Sequence, residues 1–129
     1  MSESNESKLI QLALSKKGAV TFRNNTGMGW TGESARLPNG SMILKNPRPL
    51  HAGLTKGSSD FIGWKSITIT PDMVGKTLAV FLAVEIKAAR GRATQEQLNF
   101  IDQVRKAGGI AGIARNPDEA VLLLEKSLF

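Results

Sequence analysis

The longest apolar run of the chain, residues 78–87 (LAVFLAVEIK), constrains the fold more than any other segment. Its length and its apolar composition predict a central strand that is buried in a sheet. A helical pattern follows over 94–107, where Thr94 is a suitable N-cap, and 110–114 (IAGIA) predicts a short buried strand. A strand, a helix and a second strand in this order indicate a right-handed parallel crossover.

Helices are also predicted near both ends of the chain. The first follows Ser4 or Asn5 as N-cap and ends at Gly18, and the last begins at Pro117 and runs to about Leu128. Short strands are predicted at 19–23 and 67–69, and an apolar stretch begins at 61–62. Segments 35–37 and 41–44 flank a turn signal. Loops or turns are predicted at 24–33, 38–40, 46–59 and 71–75. The predicted fold class is therefore α/β, with mixed α and β elements around a mixed sheet.

The composition indicates one domain. The chain has 129 residues, of which 41% are hydrophobic, so we expect a single domain over 1–129 with residues 1–5 flexible. No apolar stretch reaches the roughly 18 residues of a membrane-spanning helix. The polar opening MSESNESK does not have the pattern of a secretory signal. We therefore expect a cytoplasmic protein with no membrane partner.

Cysteine and histidine usage excludes several kinds of chemistry. There is no cysteine, which excludes disulfide frameworks, zinc–thiolate sites and cysteine nucleophiles. The single histidine, His51, is interpreted as a loop residue without a catalytic role. Seventeen Lys and Arg against eleven Asp and Glu give a formal net charge of +6. Such a charge favours an anionic partner, most commonly a nucleic acid.

The most informative polar residues are Glu85 and Lys87, at the end of the apolar run. Side chains at i and i+2 of a strand share a face, so Glu85 and Lys87 are expected to point together and Ile86 to point into the core. Charged groups on so apolar a strand are costly unless they are paired or used. An isolated pair of this kind is most often a surface ion pair, worth about 0–1 kcal/mol.

A second acidic residue favours the functional interpretation. Asp60 begins a β segment within 57–63 (GSSDFIG). If this segment pairs with the apolar strand, Asp60 and Glu85 meet at one end of the sheet. Two carboxylates and a backbone carbonyl form the hard oxygen site that suits Mg²⁺ or Mn²⁺. Lys87 could then position an attacking water or stabilise the charge that develops on phosphorus.

Asp60 followed by Glu85-Ile86-Lys87 resembles the D…E-x-K core of the PD-(D/E)XK nuclease superfamily. The ordered set of neighbouring segments makes the resemblance more specific. These segments are a helical Glu6, RNNTG at 23–27, GSSD at 57–60, TQEQ at 94–97 and GG at 108–109. Together they resemble the VRR-NUC (virus-type replication-repair nuclease) domain in its small stand-alone, phage-like form, over about Glu6 to Leu124. Ser59 stands where the superfamily name has proline.

The resemblance implies a restriction-endonuclease-like PD-(D/E)XK core, with a central mixed β-sheet flanked by helices. It also implies a DNA endonuclease that depends on Mg²⁺ or Mn²⁺. The implied catalytic residues are Asp60, Glu85, Lys87 and Gln97. The implied metal ligands are Asp60, Glu85, the carbonyl of Ile86, and Glu6.

Stand-alone members of this family resemble Holliday-junction resolvases that act as homodimers. The expected partners are therefore branched DNA, above all the four-way junction, and a second copy of the chain, in a bacterial or phage-infected cytoplasm. The two-fold symmetry of such a junction matches that of a C2 dimer.

Several exposed side-chain types fit a DNA footprint. Arg90 and Arg92 directly follow the Glu85 strand and could contact phosphates beside the scissile bond. Arg23 and Lys56 lie in the basic region before Asp60, and Trp30 could stack on unpaired bases at a branch point. Taken singly, a basic residue of this kind is more often only a solvated surface charge.

Two other functions remain open at this stage. A nickase or a flap or single-strand nuclease would use the same chemistry on a different DNA structure. A non-catalytic basic DNA-binding module would keep the acidic residues for structural reasons only, and it would tolerate Glu85→Gln. Two converging carboxylates argue against such a module, because a phosphate-binding surface gains nothing from them.

Overall fold

The structure is a computed structural model, and it describes residues 3–126. Within this range the helices are α1 (Glu3–Lys16), α2 (Gln95–Lys106) and α3 (Pro117–Lys126), with a 3-10 helix at Pro71–Met73. The strands are β1 (Ala19–Arg23), β2 (Gly27–Arg36), β3 (Met42–Ala52), β4 (Phe61–Lys65), β5 (Leu82–Ile86) and β6 (Ile110–Ala114). The predicted mixed α/β class is confirmed. The described strands pair as small two-stranded sheets, β1 with β4, β2 with β3, and β5 with β6.

The chain divides into two compact units. The first, here called the helical unit because it contains α1, α2 and α3, comprises the described residues up to Val20 and those from Trp64 onward. The second, the hairpin unit, comprises Thr21–Gly63. A single domain over 1–129 stays a prediction. Of the segment expected to be flexible, residues 3–5 belong to α1, and residues 1 and 2 lie outside the described range.

The core of the helical unit lies between α2 and the β5–β6 pair. These two strands are parallel, with Leu82 opposite Ile110 and Ile86 opposite Ala114, as the strand–helix–strand pattern predicts. Ile101 and Val104 of α2 pack with Ala111 of β6, and Val104 and Ala111 are fully buried. The partly buried side chains that pack against this cluster are Trp64, Phe81, Ala83 and Ile113. This small core fixes the positions of the strand ends that carry the charged residues.

Local signals place the helix ends correctly in most cases. Thr94 is the N-cap of α2, and its hydroxyl accepts a hydrogen bond from the backbone N–H of Gln97 at 3.2 Å. Gly18 and Gly108 follow α1 and α2 with φ of +92° and +101°, the left-handed conformation that ends helices. The prediction for the start of α1 is wrong, because the helix already begins at Glu3 and includes both predicted N-caps.

The prediction of a buried strand over 78–87 is wrong in length and in burial. β5 has only five residues, and exposed and half-buried side chains alternate along it. Leu82, Val84 and Ile86 are on the exposed side, with Ile86 79% exposed. A strand buried on both faces needs cover on both, whereas β5 packs on α2 with one face. The predicted strand at 67–69 is also absent, because no β structure occurs between β4 and the 3-10 helix.

The hairpin unit differs most from the prediction. β2 and β3 form a long antiparallel ribbon, although most of β2 was expected to be a loop and much of β3 to be irregular. The predicted turn at 38–40 is confirmed: the Leu37 N–H donates to the Ser41 carbonyl at 2.8 Å, and Gly40 has φ +88°. The ribbon contains one irregularity, between Thr31 and Glu33 of β2.

None of the described helices is both long enough and apolar enough to cross a membrane.

Candidate active site

Glu85 and Lys87 lie at the carboxyl end of β5 and form an ion pair. Lys87 Nζ lies 3.2 Å from Glu85 Oε1, and the side chains are 19% and 31% exposed, respectively. The ladder with β6 continues to Lys87, whose N–H donates to the Ala114 carbonyl at 3.2 Å. The predicted common orientation of the two side chains is therefore confirmed, and both are held on paired backbone rather than on a free loop.

Gln97 completes this cluster from the first turn of α2. Its Nε2 donates to Glu85 Oε1 at 2.9 Å, and its Oε1 accepts from the backbone N–H of Thr94 at 2.9 Å. The Gln97 amide therefore makes two different contacts. Its Oε1 completes the capping box with Thr94, and its Nε2 binds the Glu85 carboxylate. The expectation that Gln97 lies beside the end of β5 is confirmed.

The orientation of Ile86 corrects the sequence interpretation. Its side chain does not point into the core but is 79% exposed, whereas Glu85 shares the half-buried face of Phe81 and Ala83. Exposed and half-buried side chains alternate along β5 as predicted, but Glu85 and not Ile86 lies on the half-buried face. The charged side chains are tolerated on the inner face because Gln97 and the ion pair satisfy Glu85 there.

The loop after β5 presents two predicted DNA-binding residues. Arg90 and Arg92 are exposed on either side of Gly91. Arg115, which the sequence analysis did not single out, holds this loop: its Nη2 donates to the Gly91 carbonyl at 2.9 Å. Its position directly after β6 is the signal that could have identified it, because parallel strands bring the residues that follow them to one edge of the sheet.

Glu6 lies on α1 in the same unit, on an exposed part of the helix. Its carboxylate makes no hydrogen bond or ion pair with residues 4–126. The structure therefore leaves its role as a metal ligand a prediction.

Asp60 lies in the hairpin unit, at the position just before β4. Its backbone carbonyl accepts from the Asn24 N–H at 2.8 Å, while its exposed carboxylate makes no hydrogen bond or ion pair within the described part of the chain. Asn24 also contacts the segment that leads to Asp60, and the sequence analysis quoted this residue only as part of a motif. The richness of the surrounding segment in Asn and Gly is the sequence feature that could have identified Asn24.

The other predicted DNA-binding residues of the hairpin unit are all exposed. Arg23 donates from Nε to Asn25 Oδ1 at 3.1 Å, and its guanidinium lies 5.7 Å from the ring centroid of Phe61. Trp30 stands opposite Pro49 in the ribbon and is 56% exposed. Lys56 is exposed in the loop before Asp60.

The carboxylates of Glu85 and Asp60 both have oxygens without a partner within the described residues, as a ligand of a divalent cation requires. Both contacts to the Glu85 carboxylate fall on Oε1, so Oε2 has no hydrogen-bond or ion-pair partner among residues 3–126. Neither oxygen of the Asp60 carboxylate has a hydrogen-bond or ion-pair partner among these residues. Carboxylate oxygens are the donors that Mg²⁺ and Mn²⁺ prefer, so each of these two carboxylates is chemically suited to such an ion. No group of three or more acidic or histidine side chains gathers around one point in the described chain.

Comparison with curated proteins and with solved structures found no match. The VRR-NUC domain family matches residues 3–116, which include every predicted site residue. The family is one of PD-(D/E)XK nucleases, enzymes that act on DNA and typically use a divalent metal ion. With the match extending over most of the chain, and with Glu85, Lys87 and Gln97 gathered at one strand end, the chain belongs to the VRR-NUC family.

Proposed function

We propose that the protein is a divalent-metal-dependent DNA endonuclease that acts on four-way junctions as a homodimer. The observation that carries the proposal is the cluster at the end of β5, where the Glu85 carboxylate contacts both Lys87 Nζ and Gln97 Nε2. A structural ion pair needs neither the amide nor a carboxylate oxygen left without a partner. A nuclease site needs both, because its carboxylate must be fixed and must keep an oxygen for the cation.

Each predicted site residue has a distinct part in this chemistry. Asp60, Glu85 and the Ile86 carbonyl would hold Mg²⁺ or Mn²⁺, with Glu6 as a further ligand. The bound ion would supply Lewis-acid chemistry at the scissile phosphate and lower the pKa of a coordinated water.

Lys87 would stabilise the negative charge that develops on the phosphate oxygens, because its ammonium group is fixed by Glu85. Gln97 would keep the Glu85 carboxylate in one orientation by holding Oε1. Neither role requires a movement of β5.

Charge supports DNA as the substrate. The 43 residues from Thr21 to Gly63 contain five Lys and Arg and two Asp and Glu, so the hairpin unit is basic. Phosphate contacts by such residues give affinity without sequence preference. The exposed Trp30 ring adds a surface on which an unpaired base at a branch could stack.

A dimer is proposed because each chain carries one Glu85–Lys87 cluster, whereas resolution of a four-way junction needs two cuts. A C2 dimer places two such clusters in the symmetry of the junction.

The decisive experiment compares cleavage of labelled four-way, flap, splayed-arm and linear DNA in Mg²⁺. Glu85→Gln and Lys87→Ala are expected to reduce junction cleavage by about 100-fold or more, since each removes a charge at the reacting phosphate. Glu96→Gln is the matched control, because this residue is exposed on α2 and makes no contact with the cluster.

Four outcomes would contradict the proposal at three levels. A wild-type protein that is inert on every substrate, or a Glu85→Gln variant with full activity, would refute the nuclease. Faster cleavage of flaps or splayed arms would replace the junction as substrate. A monomeric mass in light scattering of the DNA-bound protein would refute the dimer.

A further inference from the structure

Asn24 closes the segment that leads to Asp60. We call residues 54–60 the Asp60 loop; it runs between β3 and β4. Asn24 Oδ1 accepts from the Leu54 N–H at 2.9 Å, at the start of the loop. Asn24 Nδ2 donates to Ser58 Oγ at 2.7 Å and to the Ser59 carbonyl at 2.8 Å, near its end. One half-buried side chain therefore ties both ends of the loop together.

The backbone of Asn24 adds a fourth bond, directly to the predicted metal ligand. Its N–H donates to the Asp60 carbonyl at 2.8 Å. The loop is folded further by a turn in which the Ser58 N–H donates to the Thr55 carbonyl at 3.0 Å.

Gly53 provides an independent indication that the chain is built closely around Asn24. A Cβ at this position would lie 2.9 Å from Asn24 Oδ1 and 2.5 Å from the Asn25 carbonyl oxygen. Gly53 also has φ +77°, a conformation that favours glycine. Only glycine lets the start of the loop approach Asn24 this closely.

The exposed Asp60 carboxylate has no hydrogen bond or ion pair within residues 3–126, so its position follows from its backbone. We propose that Asn24 is a positioning residue for Asp60: it fixes the Asp60 loop so that this carboxylate is in place before a divalent cation binds. The inference rests on the proposed function, in which Asp60 is a metal ligand. It assigns to Asn24 an effect on metal affinity and no contact with DNA or with the ion.

The chemistry of the side chain makes the inference specific. An amide offers an acceptor and two donors, and all three are used here in fixed directions. Aspartate has the same shape and keeps the acceptor for Leu54, but it places a second oxygen against the Ser59 carbonyl. Asn24→Asp therefore releases the end of the loop that carries Asp60 and leaves its start attached.

The test is a titration of the full-length protein with Mn²⁺ alone, followed by the electron paramagnetic resonance signal of free Mn²⁺. Asn24→Asp is expected to weaken Mn²⁺ binding about 10- to 100-fold, the usual effect of removing a residue that orients a metal ligand. The new negative charge by itself would strengthen cation binding, so a loss is due to release of the loop.

Two further variants isolate the effect. Asn39→Asp is the matched control: it makes the same change in the turn of the ribbon, keeps the acceptor for the Ser41 N–H, and should bind Mn²⁺ like wild type. Ser58→Ala removes one of the bonds and should weaken binding about two- to ten-fold, which keeps the test open if Asn24→Asp does not fold.

A double mutant separates this inference from the proposed function. In an Asp60→Asn background, Asn24→Asp should cause no further loss, because the ligand that it positions is gone. If Asp60→Asn weakens binding and Asn24→Asp does not, the positioning role is refuted while the metal site stands. If Asp60→Asn leaves Mn²⁺ binding unchanged, the proposed ligand fails and this inference fails with it.

Discussion

Replacing Gln97 by glutamate is predicted to destabilise the protein, although the rules for isolated helices predict that this substitution stabilises α2. A carboxylate in the first turn of an isolated helix stabilises it by about 0.3–1 kcal/mol through the helix dipole. Glutamate at N3 also keeps the capping box, because its oxygen accepts the Thr94 N–H as the amide oxygen does. On helix rules alone, Gln97→Glu should make the protein more stable.

The contact of Gln97 with Glu85 turns this expected gain in stability into a loss. Gln97 Nε2 donates to Glu85 Oε1 at 2.9 Å, and a hydrogen bond to a charged group contributes about 1.5–3 kcal/mol. Since the Glu85 side chain is 31% exposed, we take the lower half of that range. Two adjacent carboxylates add repulsion. The loss exceeds the helix gain, so we expect the free energy of unfolding to fall by about 1–2 kcal/mol.

The measurement is urea unfolding at neutral pH, followed by circular dichroism. Gln95→Glu is the control, because it adds the same charge in the same turn of α2 at an exposed site away from Glu85. Gln95 Nε2 donates to Asn99 Oδ1, and the exposed Asn99 amide can turn so that its Nδ2 donates to the new carboxylate, so this variant should lose much less stability than Gln97→Glu. Gln97→Glu should also lose DNA cleavage in the same preparation. A Gln97→Glu protein as stable as wild type would refute the coupling of α2 to the Glu85 carboxylate.

Two further predictions concern the scaffold. In thermal unfolding, Gly53→Ala should destabilise the protein by at least about 1 kcal/mol more than Gly40→Ala. Both glycines have positive φ, but only at Gly53 would the added Cβ lie against the Asn25 carbonyl. Equal losses of stability in the two variants would contradict this prediction. Ile101→Ala should cost about 2–5 kcal/mol in urea unfolding, because Ile101 is 6% exposed, whereas Leu98→Ala should cost less than about 1 kcal/mol at 43% exposure; the reverse order would show that α2 packs through another face.

The helical unit could be predicted from the sequence where signals are local. Thr94 as N-cap and Gly108 as terminator define α2, and the spacing of Glu85 and Lys87 places them on one face. The phase of β5 could not be predicted in the same way. An apolar Ile86 and a charged Glu85 suggest the opposite orientation, and the contacts of Glu85 with Gln97 of α2 and with Lys87 explain why the carboxylate is stable on the inner face.

The hairpin unit was misjudged because its pairing is not local. Glycines in β2 and the two prolines of β3 argue against strands when each segment is considered alone. In a two-stranded ribbon, however, each strand has a free edge, and Pro47 coincides with the irregularity in the ladder. The contacts of Asn24 could not be predicted for the same reason, since the residues that it binds lie thirty or more positions away.

The irregularity in the ribbon has a consequence for every side chain beyond it. Pairs on either side are Thr31 with Arg48 and Glu33 with Lys45, so three steps along β3 match two along β2, and Asn46 takes φ +49°. Odd and even positions of β3 therefore exchange sides at this point. Deleting one residue there would make the ladder regular and keep Lys45 opposite Glu33. A regular ladder that kept every residue would instead pair Glu33 with Asn46 and turn the outer third of β3 over, so that the Lys45 and Leu44 side chains would trade places on the two surfaces of the ribbon.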